Sequence, residues 1–162
     1  MKIKEFKSKN IEKKLLRNPN SNKGDYGHVL VIAGNLGFGG AALLSSKAVV
    51  ASGTGLTTLA TRKDHLSAAL SYCPEVMTKT VESISDLENH LPNKTVICIG
   101  PGLGKNYWAD QMLYKSINFA AKENLPILID ADGLNILSEN RLKIKLPKKL
   151  ILRLIQERQH VY

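Results

Sequence analysis

The sequence repeatedly places a short apolar run directly before a loop rich in glycine or aspartate. Each run is apolar at successive positions, which is typical of a parallel strand buried between two layers of helices. The three clearest pairs of run and loop are 29–32 with 34–40, 95–99 with 100–104, and 125–129 with 130–135. Because open α/β sheets bind ligands at the carboxyl ends of their strands, we expect the loops at 100–104 and 130–135 to form two walls of one pocket.

Helical patterns separate the apolar runs. Residues 41–51 are rich in small side chains, and residues 107–123 repeat apolar side chains at helical spacing. Shorter helices are predicted at 64–71, 83–90 and 134–137, a lead-in helix around Ile11, Leu15 and Leu16, and further strands at 56–61, 75–78 and 150–152. The alternation predicts an α/β fold with a doubly wound, mostly parallel sheet.

Length and charge limit the number of domains and the kinds of partner. The 162 residues are enough for one domain. The net charge of +9 comes from the two ends, because residues 18–140 contain nine Lys or Arg and eleven Asp or Glu. Basic ends are typical of a solvated surface, so we expect no nucleic-acid partner. With no apolar run long enough to span a bilayer and no apolar signal segment, we expect a cytoplasmic protein without a membrane partner.

Two of the loops combine glycines with the end of a strand. The loop at 34–40 leads into a helix, so its backbone N–H groups favour an anion, and its glycines allow close approach of a ring or phosphate. It matches neither a Walker A loop nor a GxGxxG fingerprint. The alternative for this loop, and for the Gly-Pro-Gly-Leu-Gly loop at 100–104, is a stiff turn that serves packing alone. Cys98, in the preceding strand, is predicted to be a reduced core thiol.

Asp130 and Asp132 follow the strand at 125–129 and are candidates to orient a metal-bound phosphate or a hydroxyl group. We expect Asp132 to be the N-cap of the helix that follows. His28, His65 and His90 have no partner at metal-ligand spacing, so we expect structural roles for them and no metal ligands in the chain.

Six motifs occur in an order that resembles one family. They are Lys-Gly-Asp-Tyr-Gly-His at 23–28, the glycine and alanine residues of 33–42, Ser-Gly-Thr-Gly-Leu at 52–56, Pro-Glu-Val-Met at 74–77, Gly-Pro-Gly-Leu-Gly at 100–104 and Asp-Ala-Asp-Gly-Leu-Asn at 130–135. Over residues 15–152 this series resembles the ADP/ATP-dependent NAD(P)H-hydrate dehydratases, whose fold is ribokinase-like.

The resemblance implies repair of hydrated NADH or NADPH by nucleotide-dependent dehydration. The ring hydroxyl is phosphorylated and phosphate then leaves, which regenerates the double bond. By position, Ala41 and Gly102 match family residues that contact the hydrated cofactor, and Gly40, Asp130 and Asn135 are further candidate pocket residues. The implied co-substrate is ADP or ATP with Mg²⁺, the implied partner is hydrated NAD(P)H, and self-association into a homo-oligomer is a further expectation.

The chain departs from the family after residue 152. Residues 153–158 are Arg-Leu-Ile-Gln-Glu-Arg, whereas the family continues with Thr-Pro-His-Pro-Gly-Glu. Codons for the family motif, ACG CCT CAT CCA GGA GAG, encode Arg-Leu-Ile-Gln-Glu and the start of an Arg codon when the first base is dropped. We therefore hypothesise that residues 1–162 form one partial dehydratase domain with an out-of-frame tail at 153–162.

This departure has two expected consequences. In the family the later part of the chain supplies the nucleotide-binding strands, the anion hole and the catalytic Asp, so we expect little or no dehydratase activity. We also expect a sheet that is incomplete at its C-terminal end and leaves an open apolar edge. Two alternatives stay open: a vitamin-precursor kinase of the ribokinase-like superfamily, and a non-catalytic nucleotide-binding module or remnant.

Overall fold

The computed structural model describes residues 17–139 and 144–154, so the predicted helix around Ile11, Leu15 and Leu16 lies outside the described residues. The strands are β1 (His28–Ile32), β2 (Leu56–Thr61), β3 (Met77–Thr80), β4 (Val96–Ile99), β5 (Ile127–Asp130) and β6 (Leu150–Arg153). The α-helices are α1 (Gly39–Ala51), α2 (Leu66–Tyr72), α3 (Ile84–Glu88), α4 (Tyr107–Lys122) and α5 (Ala131–Ser138).

The six strands form one sheet in the order β3-β2-β1-β4-β5-β6, and every neighbouring pair is parallel. The chain builds outward from β1 through β2 to β3, then crosses over to β4 and builds outward on the other side. The order therefore reverses between β1 and β4. In open α/β sheets this switch point opens a crevice at the carboxyl ends of the two strands.

Apolar layers cover both faces of the sheet. Leu30 and Ile32 belong to a cluster that includes buried side chains of α3, α4 and α5, whereas Val31 and Ala33 pack with α1 and α2. Successive strand residues point to opposite faces, so β1 contributes to both layers. These two layers confirm the predicted doubly wound α/β fold.

Several predicted boundaries differ from the structure, among them those of the last helix and of the third strand. The last helix begins at Ala131, three residues before the predicted start, because Asp130 caps it directly at the end of β5. Strand β3 covers Met77–Thr80 rather than 75–78, with Met77 opposite Thr58 of β2.

The β6 edge is apolar and exposed. Among the described residues β6 pairs only with β5, and Ile151 is 56% exposed and Leu154 79% exposed. A strand inside a parallel sheet is normally covered on both faces. Among residues 17–139 and 144–154, this edge of the sheet is therefore open and apolar, as expected.

Within 17–139 and 144–154, no helix has the length and apolar character needed to cross a membrane.

Candidate functional site

The loops after β1 and β4 are joined directly by their backbones. The N–H of Gly34 donates to the carbonyl of Pro101 over 3.1 Å, and the N–H of Asn35 donates to the carbonyl of Gly102 over 2.7 Å. Two segments more than 60 residues apart in the sequence thus form adjacent walls at the switch point. We refer to this part of the molecule, made of residues 33–41 and 100–104 with the start of α5, as the strand-end crevice.

Asn35 holds the two loops in place. Its Nδ2 donates to the carbonyl of Leu103 and to Oδ1 of Asn106, each over 2.9 Å, and its Oδ1 accepts from the N–H of Leu36. The residue is only 3% exposed, so these bonds satisfy a buried amide that would otherwise be costly. Asn35 is not among the site residues predicted from the sequence. The sequence feature that could have identified it is its position inside a glycine-rich loop directly after a strand.

His65 and Thr61 support the same loop from the next strand. The Thr61 hydroxyl donates to the carbonyl of Gly34 over 3.0 Å, and His65 Nε2 lies 2.9 Å from the carbonyl of Asn35. Since a carbonyl only accepts, Nε2 carries the proton in this contact. A Cβ at Gly39 would lie 2.5 Å from Nδ1 of His65, so the imidazole fits because residue 39 is glycine. His65 therefore has the structural role that we expected, as a support of the crevice.

The structure brings Ala41 and Gly102 together. A Cβ added at Gly102 would lie 2.9 Å from the Cβ of Ala41 and 2.8 Å from the carbonyl oxygen of Phe38, and Gly102 also has a positive φ of 57°. A larger residue at 102 would therefore collide with the start of α1. Gly40 is different, because a Cβ there would have no atom within 4 Å. Its position faces open space.

The start of α1 contributes to the crevice through its backbone. The N-cap residue Phe38 provides no side-chain hydrogen bond to the first turn. The first N–H groups of a helix lack partners within the helix, and the positive end of the helix dipole favours negative charge. An anionic group of a ligand would thus be stabilised beside Gly40 and Ala41.

Asp130 is the N-cap of α5, which corrects our prediction that Asp132 caps this helix. Asp130 Oδ1 accepts from the N–H of Ala131 over 2.8 Å, and its Oδ2 lies 2.5 Å from Nη1 of Arg153. Asp132 lies within the first turn, where its Oδ2 accepts from the N–H of Gly104 over 2.9 Å. The prediction failed because the helix starts at Ala131 with no intervening turn, so the strand's own last residue becomes the cap.

Asn135 lies on the exposed side of α5 and reaches the crevice only through Asp132. Its Nδ2 is 3.4 Å from Oδ1 of Asp132. Of the five candidate pocket residues, Ala41 and Gly102 are in direct proximity, Asp130 is buried at the end of β5, and Gly40 and Asn135 are exposed.

Cys98 lies behind the crevice in β4 and packs against the apolar layer that contains α1 and α2. Burial raises the pKa of its thiol to about 11, with a further increase from the charge of Asp130 and a smaller opposing effect of Arg153. The thiol is therefore protonated at neutral pH and is a poor nucleophile. It is a free thiol in the structure, as predicted.

Across residues 17–139 and 144–154, no group of three or more His, Cys, Asp or Glu side chains could hold a metal ion. The described residues therefore do not fit a magnesium site of their own.

The comparisons with known proteins agree with the resemblance seen in the sequence. Residues 29–153 match the family model described as NAD(P)H-hydrate dehydratase. A bifunctional NAD(P)H-hydrate repair enzyme of Coxiella burnetii is 43% identical over 120 residues, which are 74% of this chain and 24% of the relative. An ADP-dependent (S)-NAD(P)H-hydrate dehydratase of Listeria monocytogenes is 38% identical over 74% of this chain and 43% of its own length.

Solved structures show the same relationship. A ribokinase-like superfamily protein from Enterococcus faecalis superposes with a TM-score of 0.81 at 30% identity, over 94% of this chain and 56% of that one. An ADP/ATP-dependent NAD(P)H-hydrate dehydratase from Bacillus subtilis, co-crystallised with ATP/Mg²⁺, has a TM-score of 0.65 at 25% identity, over 85% and 47% of the two chains.

The chain spans between about a quarter and a half of the length of these curated relatives. The matched segment nevertheless includes the whole strand-end crevice, and it ends at Arg153, the last residue of β6. The predicted ribokinase-like fold is confirmed, and the family model supports the dehydratase prediction over the kinase alternative. The chain belongs to the NAD(P)H-hydrate dehydratase family.

Proposed function

We propose that this chain binds hydrated NADH or NADPH in the strand-end crevice, as part of the nucleotide-dependent dehydration that restores the reduced cofactor. The observation that carries the proposal is the close approach of Gly102 and Ala41 at the switch point, where residue 102 has no side chain and residue 41 has only a methyl group. A flat ring needs a wall of this kind, because it can then approach the backbone closely.

The rim of the crevice supports the same proposal. Leu36 and Phe38 are 53% and 54% exposed on the loop before α1. Exposed apolar side chains beside a backbone-lined cleft suit a ligand that has both an aromatic ring and charged groups. The start of α1 offers backbone N–H groups to a phosphate of the same ligand.

The dehydration itself has two stages. A phosphoryl group passes from ADP or ATP to the ring hydroxyl of the hydrate, and phosphate then leaves while the adjacent ring carbon loses a proton. The named relatives in Listeria monocytogenes and Bacillus subtilis support ADP or ATP as the co-substrate.

We further propose that turnover by this chain alone is little or none. Asp130, the carboxylate at the end of β5, is only 9% exposed at its side chain and is neutralised by Arg153. Asp132 accepts a hydrogen bond from the N–H of Gly104. Neither carboxylate is free to act as a general base or to position a transferring phosphoryl group, which depends on strong electrostatic stabilisation. The described residues therefore bind and orient the hydrated cofactor and do not catalyse its dehydration.

Calorimetric titration of the purified chain with hydrated NADPH tests the binding step. Ala41→Leu should weaken binding by about tenfold or more, because a leucine side chain would fill the space of the ring. Ala48→Leu is the matched control, since Ala48 lies on the exposed side of the same helix. Absence of binding by the unmodified chain, or equal binding by both variants, would contradict the proposal.

A second assay follows the reappearance of NADPH from its hydrate with ADP or ATP and Mg²⁺. Binding without turnover is the expected result. Robust turnover would refute the inactivity proposal while leaving the binding proposal intact. The out-of-frame origin of residues 153–162 is a separate proposal, and sequencing the gene across codon 153 tests it: no family motif in another frame would refute it.

A further inference from the structure

A second cavity opens at the carboxyl end of β3, on the sheet face that carries α3 and α4. It lies between the segment that follows β3 and the first turns of α4, and its volume of about 350 Å³ is within the range of small-molecule sites. Ile84 and Met112 provide apolar walls. We call it the aromatic cavity, because Tyr107 and Trp108 also line it. It shares no lining residue with the strand-end crevice.

The two aromatic side chains of this cavity differ in exposure. Tyr107, the first residue of α4, is 78% exposed, whereas Trp108 is 7% exposed. Nε1 of Trp108 donates to the carbonyl of Val81 over 3.1 Å, and Cζ of Arg62 lies 5.2 Å from the centre of its ring. These contacts hold the Trp108 ring in place, whereas the Tyr107 ring is accessible to a ligand. An exposed aromatic ring beside an apolar cavity favours stacking with a second ring.

The charge at the aromatic cavity is already balanced. Among the described residues that line it, Glu82 is the one charged side chain. Its Oε2 lies 2.7 Å from Nη2 of Arg62, and its Oε1 accepts from the N–H of Lys63 over 3.0 Å. No cation among these lining residues is available to pair with an anion, and burying an unpaired charge is costly. The cavity therefore suits a neutral group.

Two polar side chains of the cavity lack partners within the protein. Neither the Gln111 amide nor the Ser85 hydroxyl makes a hydrogen bond within residues 17–139 and 144–154. Gln111 follows Tyr107 by one turn of α4, so the two side chains lie on the same side of the helix. An amide offers a donor and an acceptor side by side, which is the pattern that pairs with the edge of an adenine ring.

We propose that the aromatic cavity binds a neutral, planar nitrogen heterocycle of the adenine type, which stacks on the Tyr107 ring and pairs at its edge with the Gln111 amide and the Ser85 hydroxyl. The ring belongs either to a free adenosine nucleotide or to the adenine end of a dinucleotide whose other ring lies in the crevice. Strand β3 is two strands from β1, so their ends are about 10 Å apart, an interval that a dinucleotide can span. Only the second source rests on the proposed function of the crevice.

Tryptophan fluorescence of the full chain reports on this cavity directly, because Trp108 is the only tryptophan of the 162 residues. Titration with adenosine should change the emission of Trp108 in a saturable way, whereas ribose, which lacks the heterocycle, should not. Calorimetric titration with adenosine provides a second measurement of the same binding. Absence of adenosine binding by both methods would overturn the proposal. So would an emission that changes with protein concentration and not with adenosine, which would indicate a second copy of the chain in the cavity.

Substitutions on α4 locate the binding within the cavity. Tyr107→Ala should weaken adenosine binding about tenfold, because it removes the stacking ring. Gln111→Leu should weaken it about fivefold, because it removes the paired amide. The matched control is Tyr114→Ala, since Tyr114 is 43% exposed on the same helix and does not line the cavity. Equal adenosine affinities in the Tyr107 and Tyr114 variants would refute the site.

Titrations with AMP and with hydrated NADPH identify the source of the ring. If the ring comes from a free nucleotide, AMP should bind at least as tightly as adenosine, and Ala41→Leu should not affect it. If it comes from a bridging dinucleotide, hydrated NADPH should bind about tenfold or more tightly than adenosine, and both Tyr107→Ala and Ala41→Leu should weaken it. Adenosine binding should be the same with and without Ala41→Leu, so a failure of the crevice proposal leaves this test intact.

Discussion

The strand-end crevice and a group of basic residues, which we call the basic cluster (His28, Lys79, His90 and Lys94), are built in opposite ways. The crevice consists of backbone groups and small residues, and its one buried charge, Asp130, is neutralised by Arg153. The basic cluster consists of long side chains from separate segments, and its charges repel one another. The crevice thus depends on close packing, whereas the energetics of the basic cluster depend on charge.

This difference predicts how each region responds to substitution. Changes in the crevice should alter packing and the free energy of unfolding, because its residues interlock. Changes in the cluster should alter the dependence of stability on pH, with little effect on packing.

The largest effect is expected from Gly102→Ala. The added Cβ would meet the Phe38 carbonyl oxygen and the Ala41 methyl group below 3 Å, so we expect a loss of about 3 kcal/mol of unfolding free energy, measured by urea denaturation. The control is Gly37→Ala, which also has a positive φ but faces open space. It should cost only about 1 kcal/mol. Equal losses would mean that conformational strain, and not the close approach of the two loops, makes glycine necessary at position 102.

Asn35→Ala should have the next largest effect. It removes the buried amide that joins the loops and leaves the Leu103 carbonyl without this donor, so the expected loss is about 2 kcal/mol. Asn89→Ala, at an exposed position after α3, is the control and should change stability by less than about 0.5 kcal/mol. Thermal and urea unfolding measure both variants. If the Asn35 variant were as stable as the control, the crevice would not depend on this network.

Arg153→Gln should have a smaller effect, because Arg153 is 59% exposed although Asp130 is buried. The expected loss is about 1 kcal/mol or less, since water screens the pair from one side. Lys105→Gln removes a pair to Glu139 that is exposed on both sides. It should cost less than the Arg153 change in the same denaturation experiment. A larger loss from Lys105→Gln than from Arg153→Gln would show that the folded state does not depend on the pair between Asp130 and Arg153.

The smallest effect concerns the dependence of stability on pH. The pKa values of His28 and His90 are lowered by burial from their ordinary value of 6.5. Between the folded and unfolded values the unfolded chain therefore binds more protons, so the free energy of unfolding falls as the pH is lowered through 6.5. The facing charges of Lys79 and Lys94 steepen this fall, and Asp86 reduces it.

Urea denaturation between neutral and mildly acidic pH measures this dependence. Lys94→Gln should flatten it and Lys47→Gln should not. A stability that rises as the pH is lowered would contradict the assigned direction.

The local pattern of the sequence was sufficient for most of the architecture. Successive apolar residues at 29–32 and helical spacing through 107–123 predict elements that the structure confirms, because burial on one or two faces imposes a period that is visible within a few residues. The glycine loops after the strands could be located in the same way. Their function could be predicted only from the order of the six motifs, because each glycine loop alone also fits a stiff turn.

Other features depend on groups that are distant in the sequence and were decided only by the tertiary structure. Asn35 gains its role from Leu103 and Asn106, about 70 positions later. Asp130 rather than Asp132 became the cap because β5 runs directly into α5. The basic cluster joins β1, β3 and the α3–β4 segment, whose charges look unremarkable one at a time. Strand order and register bring such groups together, and no local pattern in a single chain encodes a repulsion between residues as far apart as His28 and Lys94.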